Sequence, residues 1–322
     1  MVYKPIIIVA GEPNSIFSEI FFKSLKSKKF KSPIILIASL RLIEHQMKKL
    51  GVNRKIRLIN FSTLKNYRLN NKKINLINVN FNQKKPFDII SSKSNNYIKK
   101  SFDIALKILN NKITNKLING PVSKKYFLKK RFLGITEYLA FKTKTKNFAM
   151  LIYNKELSVC PLTTHLPLKK VPKKISNNLI RNKVKLIDNF YKKYFKHRPE
   201  IAITGLNPHC ESTDDFNEDD KITKPTTKSL IKSNYRILGP FAADTIFLRK
   251  NRKKFNVIIG MYHDQVLTPI KTLFEYDAIN ITLGLPFLRV SPDHGPNEKM
   301  IGKNMSNSLS LYRAISFLEK VK

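Results

Sequence analysis

Short apolar runs recur along the chain: PIIIVA (5–10), PIILIAS (33–39), IRLIN (56–60), INLINV (74–79), KLING (116–120), FAMLIY (148–153), EIAITGL (200–206), NVIIG (256–260) and AINITLG (278–284). They are rich in Ile and Val and mostly lack strict apolar–polar alternation. Such strands are buried on both faces, as in a parallel sheet covered by helices. Helical spacing lies between them. Ile98, Phe102, Ala105 and Leu109 form one apolar stripe over 94–110, with Ser94 as its N-cap. Residues 173–194 read as a long basic amphipathic helix. Leu311, Ala314, Ile315 and Leu318 share one face, which predicts a helix over 306–321. Strands alternating with helices predict an α/β fold. The polar stretch ESTDDFNEDDKITKP (211–225) reads as a mobile loop.

Length changes this picture first. The chain has 322 residues, and single cores stop growing at roughly 250–300 residues, so two domains are expected. Hydrophobic residues are 42% and charged residues 26%, a globular composition. No run of about 18 apolar residues marks a membrane span. The short run at 5–10 lacks the flanks of a signal peptide and reads as a first strand. Two cysteines, Cys160 and Cys210, exclude a disulfide scaffold and a four-cysteine zinc site, and fit a reduced cytoplasmic protein.

Net charge is +39. The lysines are spread along the whole chain, and Asn and Ile are abundant with them. That joint bias reads as a codon bias toward A and T acting on exposed positions. No basic motif interleaved with aromatics accompanies it, so nucleic acid is not the expected partner. The field still draws in anionic substrates and weakens with salt.

The six histidines divide by surroundings. His45 and His197 sit among charges and read as surface. His165 (PLTTHLPL), His209 (ITGLNPHCE), His263 (IIGMYHDQ) and His294 (VSPDHGP) follow apolar runs or turns. Open α/β sheets place ligand sites at the carboxyl ends of strands. Each of these histidines either caps a turn or serves chemistry. Three of them, His165, His209 and His263, suit a divalent metal, because a catalytic site takes three protein ligands and leaves one position open. Asp264 either orients the His263 imidazole or caps a helix over 265–275.

The strings TTHLPL, TGLNPH, GPFAADTIF, MYHDQ, NITLGLPFLRVSPDHG and TEYLA occur with others over essentially the whole chain. Together they resemble the 4-hydroxythreonine-4-phosphate dehydrogenase family of vitamin B6 synthesis. The resemblance implies two interleaved α/β/α domains related to isocitrate and isopropylmalate dehydrogenases, with an active-site cleft between them. The first domain would hold 1–130 and 265–322, and the second 131–264 with the interface of a homodimer that shares its active sites. It implies NAD or NADP, a divalent metal (Zn, Mg or Co), and a small phosphorylated amino-acid substrate. His165, His209 and His263 match the metal ligands, drawn from both subunits. Thr136, Lys271, Asn280 and Arg289 match substrate-binding positions. Asp244 matches a site carboxylate, and Asp244 and Lys271 are the catalytic candidates. His294, Gly295, Gly302 and Lys303 resemble the loop that holds the cofactor's adenosine side. Read without the resemblance, Lys271 is one lysine among many and Thr136 a helix cap, whereas Arg289 and Asn280 are polar groups in apolar surroundings that need partners.

That activity joins removal of a hydride to removal of a proton at a secondary alcohol. Metal binding lowers the alcohol's pKa, and the resulting β-keto acid decarboxylates. Four departures from the family's pattern stand out. Ile135 replaces the histidine before the Thr of GHTE. Ser15 and Phe17 replace glycines near the start. Cys210 follows His209 where the family has Ala. PNEKMIGKN (296–304) replaces a glycine-bearing loop. These changes leave room for a related 4-phosphorylated hydroxy acid, such as phosphothreonate or phosphoerythronate, as substrate. A non-catalytic nucleic-acid-binding protein on the same fold is a further reading.

Overall fold

The computed structural model describes residues 3–27, 29–129, 131–213 and 215–321. The chain divides into two compact units, residues 1–139 with 286–322, and residues 140–285. In chain order the strands are β1 (Ile6–Val9), β2 (Ile34–Ala38), β3 (Ile56–Leu58), β4 (Ile74–Asn78), β5 (Lys116–Asn119), β6 (Ala149–Tyr153), β7 (Ser158–Pro161), β8 (Ile201–Thr204), β9 (Ile237–Phe241), β10 (Val257–Gly260), β11 (Ile279–Leu283) and β12 (Leu288–Pro292). The helices are α1 (Phe17–Ser27), α2 (Leu40–Lys49), α3 (Asn95–Asn110), α4 (Ile135–Lys142), α5 (Asn177–Phe195), α6 (Lys224–Lys232), α7 (Ala243–Ile246), α8 (Arg249–Arg252), α9 (His263–Phe274) and α10 (Leu309–Lys320). All the apolar runs named above are strands. β7, β9 and β12 are additional, each too short or too polar to stand out in the sequence. Among the described residues, no helix is long and apolar enough to cross a membrane.

In the first unit the strand order is β3-β4-β2-β1-β5-β12, parallel throughout. Every residue of β1, β2 and β5 is buried, as the Ile-rich runs require. α3 packs on β1 and β2, and α10 on β5 and β12. Phe21 and Phe102 are fully buried, each adding about 1.5–3 kcal/mol by leaving water. The exits of β1 and β5 touch: Glu12 N–H donates to Pro121 O at 2.8 Å. Gly11 makes the approach possible, with φ +78° and a space where a Cβ would lie 2.4 Å from Pro121 O.

Glu12 is therefore held inside, 1% exposed. Its carboxylate accepts from Asn14 N–H at 3.3 Å and from the Ser94 hydroxyl at 3.0 Å. Ser94 occupies the N-cap of α3 as expected, but with helical φ/ψ (−78°, −11°) its side chain makes no cap bond to the helix, and its hydroxyl donates to Glu12 instead. Burial pushes the Glu12 carboxyl up to about 7, a rise to which Glu298 adds and which the two hydrogen bonds oppose.

In the second unit the order is β11-β6-β7-β10-β8-β9. β7, β10, β8 and β9 are parallel, while β6 runs antiparallel to both β7 and β11. The purely parallel expectation is thus corrected here. Residues 154–157 are too few for a crossover, and the Asn154 side chain accepts from Glu156 N–H at 2.9 Å to make the turn. Ile152, Val159, Ile258, Val266 and Ile270 form the core under α9. α9 packs on β7 and β10, and β11 pairs with β6, which keeps residues 263–283 in this unit. α5 starts from Ser176, whose hydroxyl accepts from Leu179 N–H at 3.3 Å.

The 211–225 stretch is not simply a loop. Residues 219–223 form a π-helical turn that runs into α6, and Asp219 is 0% exposed. Its carboxylate has work in the fold that the local composition hides.

For Glu12, the native state binds the proton more tightly than the unfolded chain does. Stability is therefore expected to fall as pH rises from about 4.5 to 7 and to level off above. Glu12→Gln should flatten that slope and be more stable at pH 8 by about 2–3 kcal/mol, with no difference below pH about 4.5. Urea unfolding at a series of pH values measures it. A parallel pH slope in the variant would refute the assignment.

Candidate functional site

β7, β10 and β8 are neighbours and parallel, so their carboxyl ends lie on one edge. The three histidines follow them: His165 after Pro161, His263 after Gly260, and His209 after Thr204. The structure brings two together. The rings of His165 and His263 stand 5.5 Å apart, centroid to centroid. Two imidazoles sharing one tetrahedral ion with Zn–N of about 2.0–2.1 Å stand about 5 Å apart, close to this separation. His263 Nδ1 meets Asp264 Oδ1 at 2.6 Å, which directs Nε2 away from the carboxylate. Of the two roles open to Asp264, the structure shows this one. Asp264 is the second residue of α9, and Tyr262 occupies the N-cap.

His209 is exposed on its own loop. Among the described residues, no group of three His, Cys, Asp or Glu side chains gathers to hold a metal within one chain. These loops carry backbone strain, as do turns elsewhere such as those at Lys112, Lys144 and Lys196. His165 has φ +45°, His209 +55° and Cys210 +63°, a region costly for residues with a Cβ.

Asp219 supports the His209 loop. Its carboxylate accepts from Leu206 N–H at 2.9 Å and from Asn207 N–H at 3.0 Å. These donors point inward where β8 has ended, so a buried acceptor is needed. In the same unit, Lys271 lies partly buried in the last turn of α9. Asn280 sits on β11 opposite Ile152, with Oδ1 buried. Asp244 is exposed on the short α7.

In the first unit, Arg289 is 1% exposed. It pairs with Leu117 in the β12–β5 register, and its side chain reaches along the sheet. Nε donates to Asn119 Oδ1 at 2.8 Å, and Nη1 to Thr136 Oγ1 at 3.3 Å. Asn119 is aimed by its own amide, which donates to Gly120 O at 2.8 Å. α4 begins at Ile135, so Thr136 is inside the helix rather than capping it, and its hydroxyl serves the arginine. Burial pulls the guanidinium pKa down to about 10, with Glu137 acting the other way. It stays charged at neutral pH, a buried cation suited to an anion.

The 294–303 loop carries His294, whose Nδ1 meets Gly295 O at 2.9 Å. Gly295 opens to free space, and Gly302 has φ +70° beside the Phe87 ring. Lys303 is exposed. The end of this loop is clamped. Glu19 Oε1 accepts from Lys23 at 2.8 Å, and Lys23 donates to Asn304 O and Ser306 O at 2.9 and 3.0 Å.

Known proteins match this arrangement. The family model of the pyridoxal phosphate biosynthetic protein PdxA matches residues 29–318. The chain belongs to the PdxA family. It is 36% identical over 314 residues to a 4-hydroxythreonine-4-phosphate dehydrogenase of Sulfurihydrogenibium sp. strain YO3AOP1, covering 96% of this chain and 95% of the relative. It is 34% identical over 163 residues, half of each chain, to a D-threonate 4-phosphate dehydrogenase of Pectobacterium atrosepticum. The crystal structure of a 4-hydroxythreonine-4-phosphate dehydrogenase from Klebsiella pneumoniae superposes with TM-score 0.85 at 25% identity, covering 99% of this chain and 98% of that one.

Within this PdxA fold, Asn119, Asp219 and Gln265 were not singled out by sequence reasoning. Asn119 ends a strand run, and Gln265 is the last letter of MYHDQ, so both were visible as polar groups at apolar ends. Asp219 was hidden among other acidic residues. Asp219→Ala is expected to destabilise the second unit by about 2–4 kcal/mol, because it orphans buried N–H groups. Chemical denaturation measures this, and a loss below about 0.5 kcal/mol, the ordinary surface value, would refute the role given to this carboxylate.

Proposed function

We propose that this chain oxidises 4-phosphooxy-L-threonine to the 3-keto acid, which decarboxylates to 3-amino-2-oxopropyl phosphate in pyridoxal phosphate synthesis. The observation that carries the reading is the His165–His263 pair at metal-sharing distance, on a chain matched by the PdxA family model over residues 29–318. His165, His209 and His263 would hold a divalent metal (Zn, Mg or Co), the third ligand completed in a homodimer. When bound, that ion polarises the substrate hydroxyl and the ketone oxygen that replaces it. His294, Gly295, Gly302 and Lys303 would hold NAD or NADP, which would supply the hydride acceptor. A reduced cytoplasmic setting accords with the two free cysteines.

The chain's own groups handle charge and protons. Asp264 Oδ1 keeps the His263 imidazole in one tautomer and orientation. Arg289, fixed by Asn119 and Thr136 before substrate arrives, is assigned to an anionic group of the substrate and needs little reorganisation on binding. Asn280 and Lys271 bind the remaining polar groups of the substrate. Asp244 accepts the hydroxyl proton, and Lys271 stabilises the enolate left when CO2 departs and supplies the proton that its carbon takes up.

Turnover read as NADH or NADPH formation tests the proposal. Purified protein with 4-phosphooxy-L-threonine, cofactor and metal should reduce the cofactor, and both a chelator and His263→Ala should abolish it. No reduction from folded protein with any cofactor and metal would overturn it. Ile135, standing beside Thr136 where the family has histidine, favours a second reading in which D-threonate 4-phosphate is the better substrate. The ratio of kcat/KM for the two substrates decides between them. Arg289→Lys should raise KM by about 10- to 100-fold, since a charge-assisted hydrogen bond contributes about 1.5–3 kcal/mol. An unchanged KM would remove Arg289 from the anion site.

A further inference from the structure

The β-ladder ends before the histidines begin. Its last pairs are Gly260 with Pro161 and Ile259 with Ile203. Beyond them, three loops could move independently, yet the structure ties them together through one side chain. Gln265 Oε1 accepts from Met261 N–H at 2.7 Å and from the Thr204 hydroxyl at 2.8 Å. Gln265 Nε2 donates to Gly205 O at 2.8 Å. The exits of β10 and β8 are thus strapped. The Met261 peptide carries the tie on to β7: its carbonyl accepts from Thr163 N–H at 3.2 Å and from the Thr163 hydroxyl at 2.7 Å.

Thr163, Thr204 and Met261 are all buried, so none of these bonds is exchanged with water at little cost. The space is made for the amide. A Cβ on Gly260 would lie 3.0 Å from Gln265 Oε1 and 2.3 Å from a Val266 methyl. A glutamine three residues past an N-cap often reaches back to cap its own helix. This one reaches one residue further back, to Met261 N–H before the N-cap Tyr262, and spends its other hydrogen bonds on a different strand.

We infer that Gln265 is a positioning residue that sets the spacing of the loops bearing His165, His209 and His263, and with it the affinity for a divalent metal. This rests on the metal-site reading above. The test uses the full-length protein and Co²⁺ alone, titrated by its visible absorbance, with the metal-free melting temperature measured in parallel. Gln265→Met keeps the side chain's length and removes its three hydrogen bonds. It is expected to weaken Co²⁺ binding by about 10-fold, the lower end of the effect of losing a group bonded to a ligand, since Gln265 acts through the backbone, and to alter the Co²⁺ spectrum. Thr204→Val removes one bond from the far side and should weaken binding in the same direction by less.

Unchanged Co²⁺ affinity and spectrum in Gln265→Met, with only a lower melting temperature, would overturn the inference and leave Gln265 as a helix cap. If that variant does not fold, unchanged affinity in Thr204→Val overturns it instead. Absence of Co²⁺ binding by the unaltered protein would overturn the inference together with the metal-site reading. Binding that is lost in His263→Ala but untouched in both strap variants would overturn the inference alone.

Discussion

Parallel hydrogen bonding between β7, β10 and β8 is the constraint on which the second unit's chemistry depends. Parallel neighbours must start and stop on the same edges, so three exit turns are delivered side by side. The strands are short and apolar, and each is followed at once by polar residues that the ladder no longer serves. Those leftover donors and acceptors are then taken up by buried side chains: Asp219 for residues 206–207, Gln265 for 205 and 261, and Thr163 for 261. Rigidity at the edge follows from this satisfaction of backbone groups. Histidines in left-handed conformations can persist there because the surroundings over-determine them.

The first unit solves a different problem with similar means. Arg289 starts inside the sheet, where a guanidinium loses its water. Asn119 at the end of β5 and Thr136 in α4 return part of that hydration as fixed hydrogen bonds. An arginine held this way is costly to the fold, and the nearby Glu137 carboxylate offsets part of that cost. The cost that remains makes it a stronger candidate than the exposed lysines around it. The substitution at Ile135 leaves both partners of Arg289 in place. Whatever the missing imidazole would contribute to binding, the arginine's own geometry is kept.

Nine strand positions were legible because a short segment that is apolar on both faces can satisfy its backbone and leave water mainly inside a covered sheet; α3, α5 and α10 followed from their spacing, whereas α1, α2 and α6 to α8 were not placed. What remained hidden was partnership. Ser94 looked like a cap, and its hydroxyl serves a buried Glu12 that is 82 residues away in sequence. The acidic stretch around Asp219 looked mobile, and one of its carboxylates is a fully buried acceptor. The β6 reversal depends on a short turn over residues 154–157 that also reads as an ordinary break between strands. Local composition could not reveal these, since each depends on where another strand ends. That His165, His209 and His263 follow strand ends was legible, whereas the 5.5 Å approach of His165 to His263 required the ladder.

The lysine excess can be judged by the exceptions. If the bias were tolerated only where water is available, buried lysines would need specific compensation. Lys183 has it: its ammonium donates to Phe148 O at 2.6 Å and lies 5.7 Å from the Phe148 ring centroid. Lys116, at the start of β5, is held below the usual lysine pKa, chiefly by burial and further by Lys4. Such positions still cost stability that an apolar residue would not, and the lysine excess reaches them as it reaches the surface.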